Sequence, residues 1–384
     1  MNSPSLHRWL RNLRERRARK PRSAAHKLFV KLRIEILENR WLPAPLVVTT
    51  TADSGAGSLR QEIMAVNSGM GSVIDFSIPT TDLGYQSGTG TWLIKPATPL
   101  PAITNPVTVD GTSQMGYAAK PLIELDGESA GVGNGLEISG GASTVEGLAI
   151  NRFSGSGIQL DTFGGDTVQK NYLGTNVTGT TGLGNQMGVF VHSSSNTIGG
   201  TAAGSGNLIS GNTLYGIDID PVVGVVTANV VQGNFIGTDI HGTSSVPNYF
   251  DGIYLSNTSH NTIGGNAAGA TTVLTPGVGS LSGQATPYPG NLISGNGGPG
   301  ASGGTDNANG VDIEVNNIVS SSFNLVEGNY VGTDVNGTAA LGNTEHGVYI
   351  AGTSSNTVGG TALGAGNLIS ANKQDGIGIF ALTN

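Results

Sequence analysis

Residues 196–212 read NTIGGTAAGSGNLISGN, and residues 233–243 read GNFIGTDIHGT. Both stretches are built from short phrases that return elsewhere in the same order. Asn-Thr-(Ile/Val)-Gly-Gly begins at Asn196, Asn261 and Asn356, Gly-Asn-Leu-Ile-Ser at Gly206, Gly290 and Gly366, and Asn-aromatic-aliphatic-Gly-Thr at Asn171, Asn234 and Asn329. Whole phrases that recur over such distances are typical of a repeat architecture.

A fourth phrase, Gly-aliphatic-x-aliphatic, occurs at irregular intervals. It begins at Gly135, Gly157, Gly188, Gly216, Gly252, Gly310, Gly347 and Gly376. Constant phrases with variable spacing predict strands of fixed length that stack coil on coil, while the turns between them vary. We therefore predict an all-β fold, a right-handed parallel β-helix, since parallel crossovers are nearly always right-handed. A sandwich would not keep one phrase order, and a propeller would need regular blades.

The alternation within a phrase predicts which side chains face the core. Ile217 and Ile219 should point inward, and Asp218 and Asp220 outward. The Asn residues at strand ends should form ladders of side-chain amides that satisfy buried backbone groups in the turns. A stripe of large residues after the repeated Asn is expected to lie buried beneath the Gly-Thr-Asp loops: Tyr172, Leu208, Phe235, Leu292, Tyr330 and Leu368.

The stretch before the repeats, residues 45–72, is predicted to form an N-terminal cap. Residues 46–51 (LVVTTT) predict a strand, and Ser58 followed by Gln61 is a capping-box signature. A helix should therefore cover 58–68. Its apolar face consists of Leu59, Ile63 and Val66.

The solenoid is predicted to occupy residues 73–384. Its first strands are expected at 73–78, 91–94, 106–110 and 121–126. The sequence after the last strand phrase, 376–380, contains no polar cap of the kind that protects a solenoid end. We therefore expect either that the chain is part of a longer protein or that another subunit covers this end.

Composition narrows the classes of function. The chain has 384 residues, 62 Gly and no Cys, which excludes disulfides and thiolate metal sites. Residues 1–40 hold 12 of the 18 Lys and Arg but only 3 of the 26 Asp and Glu, so the body is strongly acidic. Because phosphate contacts need Lys and Arg, we expect the body not to bind nucleic acid. No apolar run approaches the roughly 18 residues of a transmembrane helix.

Residues 1–44 form a basic segment that we expect to be disordered or related to export. Residues 37–43 (LENRWLP) resemble the LEPR-XLL segment near the start of many exported bacterial surface proteins, with Asn39 where Pro is usual. An alternative is that the basic segment binds nucleic acid or an anionic membrane surface.

A second resemblance covers nearly the whole body. Residues 48–63 (VTTTADSGAGSLRQEI) resemble the N-terminal cap motif called CSLREAI, with Gly57 where the motif has its Cys. Residues 100–127 and the repeat coils are similar to its usual continuation. The resemblance implies a right-handed parallel β-helix of a secreted or surface-attached bacterial protein, and it implies no particular reaction.

The outward positions of the Gly-led strands form two neighbouring columns and supply the candidate site. Aromatic faces suit the C–H bonds of sugar rings, and carboxylates accept protons from sugar hydroxyls. The insertions 266–289 and 297–309 flank the same region. The alternative is an ordinary solvated sheet face, which we favour at this stage. The predicted binding residues are Phe190, Asp218, Asp220, Tyr254, Asp312, Glu314 and Tyr349.

Metal and histidine sites are weakly indicated. Calcium is the metal that the available oxygen ligands suit best, and Asp239 and Asp334 each precede a Gly turn. Neither loop matches a calcium motif, so we expect both carboxylates to bond their own turn backbone, with no metal and no cofactor. The histidines of the body are expected at the surface: His192, His241, His260 and His346.

Two functions remain open at this stage. The first is a non-enzymatic secreted or cell-surface protein, an adhesin-like or envelope scaffold with a carbohydrate-binding face, whose partners would be extracellular polysaccharide or envelope components. The second is a carbohydrate-active enzyme, a hydrolase or lyase, that uses the surface carboxylates. A lyase acting on uronates needs Lys or Arg, and Lys373 is the only Lys or Arg in the sequence after Lys170.

Overall fold

Three stacks of short parallel strands build the fold, which confirms the predicted parallel β-helix. The computed structural model describes residues 45–222, 224–265, 290–298, 308–315 and 321–381. The predictions for residues 1–44 therefore lie outside the described residues. From the strand Thr108–Asp110 onward, the chain visits the stacks, here called sheets A, B and C, in that order once per coil. Among the described residues, no helix is long and apolar enough to cross a membrane.

Sheets A and B each contain ten strands, and sheet C contains eight. Sheet A comprises Leu46–Val48, Val73–Phe76, Thr108–Asp110, Thr144–Glu146, Thr167–Gln169, Thr197–Gly199, Val230–Gln232, Thr262–Gly264, Leu325–Glu327 and Thr357–Val358. Sheet B comprises Tyr85–Gln86, Thr91–Ile94, Ile123–Asp126, Leu148–Asn151, Tyr172–Leu173, Leu208–Ile209, Phe235–Ile236, Leu292–Ile293, Tyr330–Val331 and Leu368–Ile369. Sheet C comprises Leu136–Ile138, Ile158–Leu160, Val189–Val191, Ile217–Ile219, Ile253–Ser256, Val311–Glu314, Val348–Ala351 and Ile377–Phe380.

Smaller elements complete the fold. Only the first pair of sheet B, Tyr85–Gln86 with Thr91–Ile94, runs antiparallel among these strand pairs of the described residues. A two-stranded sheet joins Val226–Thr227 to Thr258–Ser259, and two 3-10 helices cover Gly111–Ser113 and Gly127–Ser129.

The cap forms as the sequence predicts. Its helix, α1, spans Leu59–Asn67 and begins at Ser58, whose side chain accepts a hydrogen bond from the Gln61 backbone amide. Leu59, Ile63 and Val66 are buried, so one face of the helix packs on the core. The strand Leu46–Val48 is shorter than predicted and pairs with the first strand of the solenoid.

The core consists of inward-facing aliphatic side chains stacked in columns. Ile217 and Ile219 are fully buried, as the alternation predicts. Their counterparts in the next coil, Ile253 and Leu255, lie directly beside them in register. Each coil thus buries its apolar residues against those of its neighbours, which is the main source of stability in a solenoid.

Ladders of asparagine side chains occupy all three corners between the sheets. In each ladder the side-chain amide of one Asn donates to the side-chain oxygen of the Asn in the next coil. The ladders consist of Asn171, Asn207, Asn234, Asn291, Asn329 and Asn367; of Asn185, Asn212, Asn248, Asn296, Asn343 and Asn372; and of Asn196, Asn229, Asn261, Asn324 and Asn356. The predicted ladders are confirmed.

The stripe of large residues on the outside of sheet B is buried, also as predicted. Tyr172, Leu208 and Phe235 join a second apolar cluster with Leu292 and Tyr330. The Gly-Thr-Asp loops cover it and contribute further side chains, Val177, Ile240 and Val335. The stripe therefore stabilises the loops and is not a docking surface.

The asparagine ladders lead to a stability prediction. Replacing Asn234 by Ala removes the oxygen that accepts from the backbone and side-chain amides of Asn207, at 3.0 and 2.9 Å. Two buried donors are left without this partner, so we expect a loss of about 2–4 kcal/mol in the free energy of unfolding. Urea denaturation followed by circular dichroism measures the loss. Asn336→Ala is the control: this side chain is exposed and donates one hydrogen bond, to Asp334 Oδ2, so its removal should cost at most about 1 kcal/mol. Equal effects of both substitutions would contradict the role of the ladder.

Candidate active-site cavity on sheet C

The strands of sheet C carry the predicted outward column in the predicted register. Phe190 pairs with Asp218, Asp218 with Tyr254, Tyr254 with Asp312, and Asp312 with Tyr349. In parallel strands of this kind, direct partners lie about 4.8 Å apart. Aromatic and acidic side chains therefore alternate from coil to coil along one line.

This part of sheet C is covered, so the expectation of an ordinary solvated face is wrong here. Only 6% of Asp218, 7% of Asp312 and 9% of Tyr254 is exposed. The cover comes from the turns that precede the strands. Tyr215 stacks on Tyr254 with ring centroids 4.9 Å apart and planes at 13°, and Phe250 packs beside Tyr215 at 5.7 Å.

The covering residues belong to further columns that the sequence analysis missed. Tyr215, Asp251 and Asn309 each directly precede the Gly of a strand phrase. The backbone carbonyl of each accepts a hydrogen bond from the strand-phrase Gly of the previous coil. Phe250 and Glu345 lie one residue further back. Extending the Gly-led phrase by two residues toward the N terminus would have found all five.

Together these columns enclose a cavity of about 280 Å³. Four of its lining residues belong to the predicted site, and five come from the preceding turns. The lining residues are Tyr254, Asp312, Glu314 and Tyr349, together with Tyr215, Phe250, Asp251, Asn309 and Glu345.

Hydrogen bonds fix the acidic side chains of the cavity. Asn309 connects two of them: its backbone amide donates to Asp251 Oδ1 at 2.6 Å, and its side-chain amide donates to Asp312 Oδ2 at 3.0 Å. The hydroxyl of Tyr254 donates to Glu314 Oε1 at 2.5 Å. In the bond with Tyr254, the carboxyl of Glu314 is the acceptor. The second oxygen of Asp312, Oδ1, is in a different environment.

Asp312 and Asp218 carry buried oxygens that make no hydrogen bond. Among the described residues, Oδ1 of each is buried and lacks a partner. Burial, reinforced by Asp251 and Glu314, raises the pKa of Asp312 well above its usual range. Burial, with Asp220 and Asp251 nearby, does the same to the pKa of Asp218. Both groups therefore hold a proton more tightly than an ordinary carboxyl group does.

Asp251 is poised to change its charge near neutral pH. Burial, with the charges of Glu314 and Glu345, raises its pKa to about 7, although the hydrogen bonds from Asn309 oppose the shift. Burial and the bond to Glu314 raise the pKa of Tyr254, so that its hydroxyl remains protonated. The cavity and its border thus hold several buried carboxyl groups whose pKa is raised, Asp218, Asp251 and Asp312, and buried acids with raised pKa are typical of functional sites.

The remaining predicted residues lie on the same face outside the cavity lining. Phe190 packs edge-on against His192, with ring centroids 3.9 Å apart. His192 Nδ1 lies 2.8 Å from Asp161 Oδ1, and Asp220 Oδ1 accepts a bond from Asn257 at 3.2 Å. The binding role of all seven predicted residues stays a prediction. The insertion 266–289 lies outside the described residues.

His346 corrects one expectation from the sequence. Only 8% of it is exposed, because its ring stacks on Tyr349 and contacts Phe380, with centroids 5.4 Å away in both cases. Its position directly before Gly347 places it in the column of Asp251 and Asn309, beside the cavity.

The turns proposed for calcium have a structural role, as expected. Asp239 Oδ1 accepts backbone amides of Thr243 and Ser244 at 2.9 and 3.1 Å. Asp334 Oδ1 accepts those of Thr338 and Ala339 at 2.8 and 2.9 Å. Within the described ranges, no group of three or more His, Asp and Glu side chains is arranged to hold a metal ion.

Comparison with known proteins gives no identity to this chain. No family model and no curated protein matches it. Among solved structures it is similar to the enzymatically active domain of tailspike protein 2 of bacteriophage CBA120, with a TM-score of 0.45, 11% identity and coverage of 84% of this chain. It spans 43% of that tailspike chain. The resemblance to the CSLREAI and LEPR-XLL segments remains a prediction.

Two bacterial enzymes show a weaker likeness. An alginate lyase from Paenibacillus sp. str. FPU-7 has a TM-score of 0.39 and 15% identity, and covers 88% of this chain and 98% of its own. The A-module of a mannuronan C-5 epimerase from Azotobacter vinelandii has a TM-score of 0.35 and 12% identity, with the same two coverages, 88% and 98%. Similarity at this level carries no information about chemistry, which must come from the cavity itself.

The raised pKa of Asp251 predicts a pH dependence of stability. In the unfolded chain its pKa is near 3.8 and in the folded protein about 7, so the folded state binds more protons between these values. Stability therefore falls as the pH rises through this window. Asp251→Asn keeps an oxygen that can accept from Asn309 and removes the charge. At pH 8 the variant should be more stable by about 4 kcal/mol, with the difference vanishing near pH 4.

Thermal or urea unfolding at a series of pH values measures this effect. Asp334→Asn is the matched control of opposite sign. Burial raises the pKa of Asp334, but the hydrogen bonds from Ala339 and Thr338 outweigh it and the net pKa is lowered. That carboxylate therefore contributes stability above its unfolded pKa, and its removal should destabilise the protein at pH 8. An Asp251→Asn variant less stable than wild type at every pH would contradict a raised pKa of Asp251 in the folded protein.

Proposed function

We propose that the cavity on sheet C binds a saccharide and that the protein is a glycan-binding β-helix protein. The observation that carries the proposal is the lining itself: three tyrosines and four carboxyl groups enclose one cavity of about 280 Å³. Tyrosine rings offer flat apolar faces with a polar edge. Carboxyl and amide groups bond the hydroxyls of a sugar, which are both donors and acceptors.

The charge of the cavity limits which saccharide fits. Its lining contains no Lys or Arg, and the sequence after Lys170 contains only Lys373. An acidic polysaccharide would bring carboxylates beside Glu314 and Glu345 with no cation to balance them. We therefore propose that the ligand is not a uronate polymer, which also argues against lyase chemistry.

We further propose a secreted or cell-surface location, with an adhesin-like or scaffolding role. Support comes from the sequence: the LEPR-XLL-like segment at 37–43 and the CSLREAI-like motif at 48–63. Fractionation of the native cells, followed by mass spectrometry of the mature N terminus, tests this. Full-length protein confined to the cytosol would overturn it.

Hydrolysis of a glycosidic bond is the second candidate, and Asp312 favours it. Its buried Oδ1 has no partner among the described residues, and it stands two positions before Glu314 on one strand face. A protonated Asp312 would donate its proton to the leaving oxygen of the sugar. Glu314 would take a proton from a water molecule that adds to the anomeric carbon, so that water is divided between the two products.

The binding proposal predicts that Tyr349 contributes to affinity. Tyr349→Ala removes a ring at the wall of the cavity that is covered only in part, so the fold should be kept. We expect affinity for the best ligand of a glycan array to fall by about tenfold, equivalent to roughly 1.4 kcal/mol. Isothermal titration calorimetry measures it. Phe163→Ala, at a ring 75% exposed elsewhere on the surface, should have no effect; an equal loss there would contradict a specific site.

The hydrolytic alternative predicts a different result. If the protein cleaves the ligand, Asp312→Asn should lower kcat at least a hundredfold in a reducing-sugar assay while binding persists, because the general acid is lost. Glu137→Gln, in the same column but in a coil that does not line the cavity, is the matched control. Unchanged turnover in Asp312→Asn would exclude this mechanism, and absence of any turnover in the wild type would leave the binding function.

A further inference from the structure

The cavity has the composition of a site for a cation. Tyr215 and Tyr254 stack as a pair, Phe250 adds a third ring beside Tyr215, and Tyr349 also lines the cavity. The faces of aromatic rings are negative, and they attract ammonium groups strongly when water is excluded. A neutral sugar would use these rings only as apolar surfaces.

The carboxyl groups point to the same class of ligand. Asp251, Asp312, Glu314 and Glu345 all line the cavity, and none of the other lining residues is a cation. Only 7% of Asp312 is exposed, so this side chain is more than nine-tenths buried. Its Oδ1 has no hydrogen-bond partner among the described residues. A protonated amine supplies both of the features that this lining lacks, a positive charge and three N–H donors.

A divalent metal fits less well. Nowhere in the described parts of the chain are three or more acidic or histidine side chains grouped closely enough to hold an ion. The four carboxyl groups are instead distributed around a space that also has aromatic walls. A compact metal ion would not use those walls, whereas an ammonium group on a ring-shaped ligand would use both features.

We propose that the cavity recognises a sugar unit that bears a free, protonated amino group, such as a 2-amino-2-deoxy sugar in a polysaccharide. The inference rests on the proposed saccharide-binding function and specifies its ligand class. The ammonium group donates to the unpartnered Oδ1 of Asp312, the other carboxyl groups of the lining attract its charge from further away, and the pyranose ring contacts the tyrosines. Acetylation of the amine removes its charge and abolishes the preference.

Binding of such a ligand is coupled to protons. Asp251 has a pKa of about 7 in the empty cavity, and a cation beside it favours the ionised form. At a pH low enough that the free amine is already protonated, and Asp251 is protonated as well, the complex therefore forms with release of protons. The other titratable groups that line this space are Asp312, Glu314, Glu345, Tyr215, Tyr254 and Tyr349, and Asp218 and His346 lie beside it. A neutral sugar leaves these equilibria almost unchanged.

Calorimetry on the full-length protein separates the alternatives. The probes are three tetrasaccharides of equal length and linkage: β-1,4-linked glucosamine, its N-acetylated form and cellotetraose. We expect the glucosamine tetramer to bind at least tenfold tighter than the other two, and its affinity to fall with added salt. Its binding enthalpy at pH 5.5, where the free amine and Asp251 are both protonated, should depend on the ionisation enthalpy of the buffer, with the sign of proton release.

Two variants localise the effect. Glu345→Gln should reduce the preference for the glucosamine tetramer at least threefold and leave cellotetraose binding unchanged. Glu137→Gln, a carboxyl of the same sheet outside the cavity, should change neither, and circular dichroism verifies that both variants fold.

The possible failures are distinguishable. Equal affinity for all three tetramers, or binding without proton release, would overturn the amino-sugar inference and leave saccharide binding intact. If a full glycan array and all three tetramers give no binding, the proposed function and this inference both fail.

Discussion

Stacking of identical side chains from coil to coil is the constraint on which this structure depends. An asparagine at each corner accepts from the backbone and side-chain amides of the preceding coil and donates to the next. A shift of one residue in any strand would leave these buried amides unpaired and would turn the aliphatic columns outward. Because every coil must keep the same register, residues at equivalent positions of the repeat are forced into straight columns, whatever the length of the turns between them.

The cavity on sheet C is a consequence of this register. The column before the strand glycines places Tyr215, Asp251 and Asn309 beside one another, and the outward column places Tyr254 beside Asp312. Neither column alone would bury a carboxyl group, since outward positions of a sheet ordinarily face water. Where the two columns meet, stacked rings exclude water from the acids and raise their pKa. Burying acids costs stability, and the rigid coils on both sides keep them in place despite that cost.

The sequence predicts the stack far better than it predicts the cavity. The Gly-led phrase contains its own register, so the pairing of Phe190, Asp218, Tyr254, Asp312 and Tyr349 could be read directly from the spacing. Burial of these residues could not, because it depends on how the preceding turns fold over the sheet. Those turns differ in length and composition from coil to coil, and the aromatic residues within them, Tyr215 and Phe250, belong to no repeated phrase. The loops over sheet B, in contrast, do repeat in the sequence. For that reason the burial of the stripe of large residues beneath them could be predicted.

A cysteine cross-linking measurement tests the stacking most directly. Thr262 and Leu325 are direct partners in adjacent strands of sheet A, although the chain between them is longer than between any other such pair of strands. The protein has no native Cys, so two cysteines introduced at these positions can pair only with each other. Partners about 4.8 Å apart fall within the range of a disulfide. The double variant Thr262→Cys, Leu325→Cys should oxidise to an intramolecular disulfide, which is seen as a gel shift under non-reducing conditions. The control is the double variant Thr262→Cys, Glu327→Cys, whose cysteines are two residues out of register and should not form a disulfide. Cross-linking of the second pair and not the first would contradict the register on which the cavity depends.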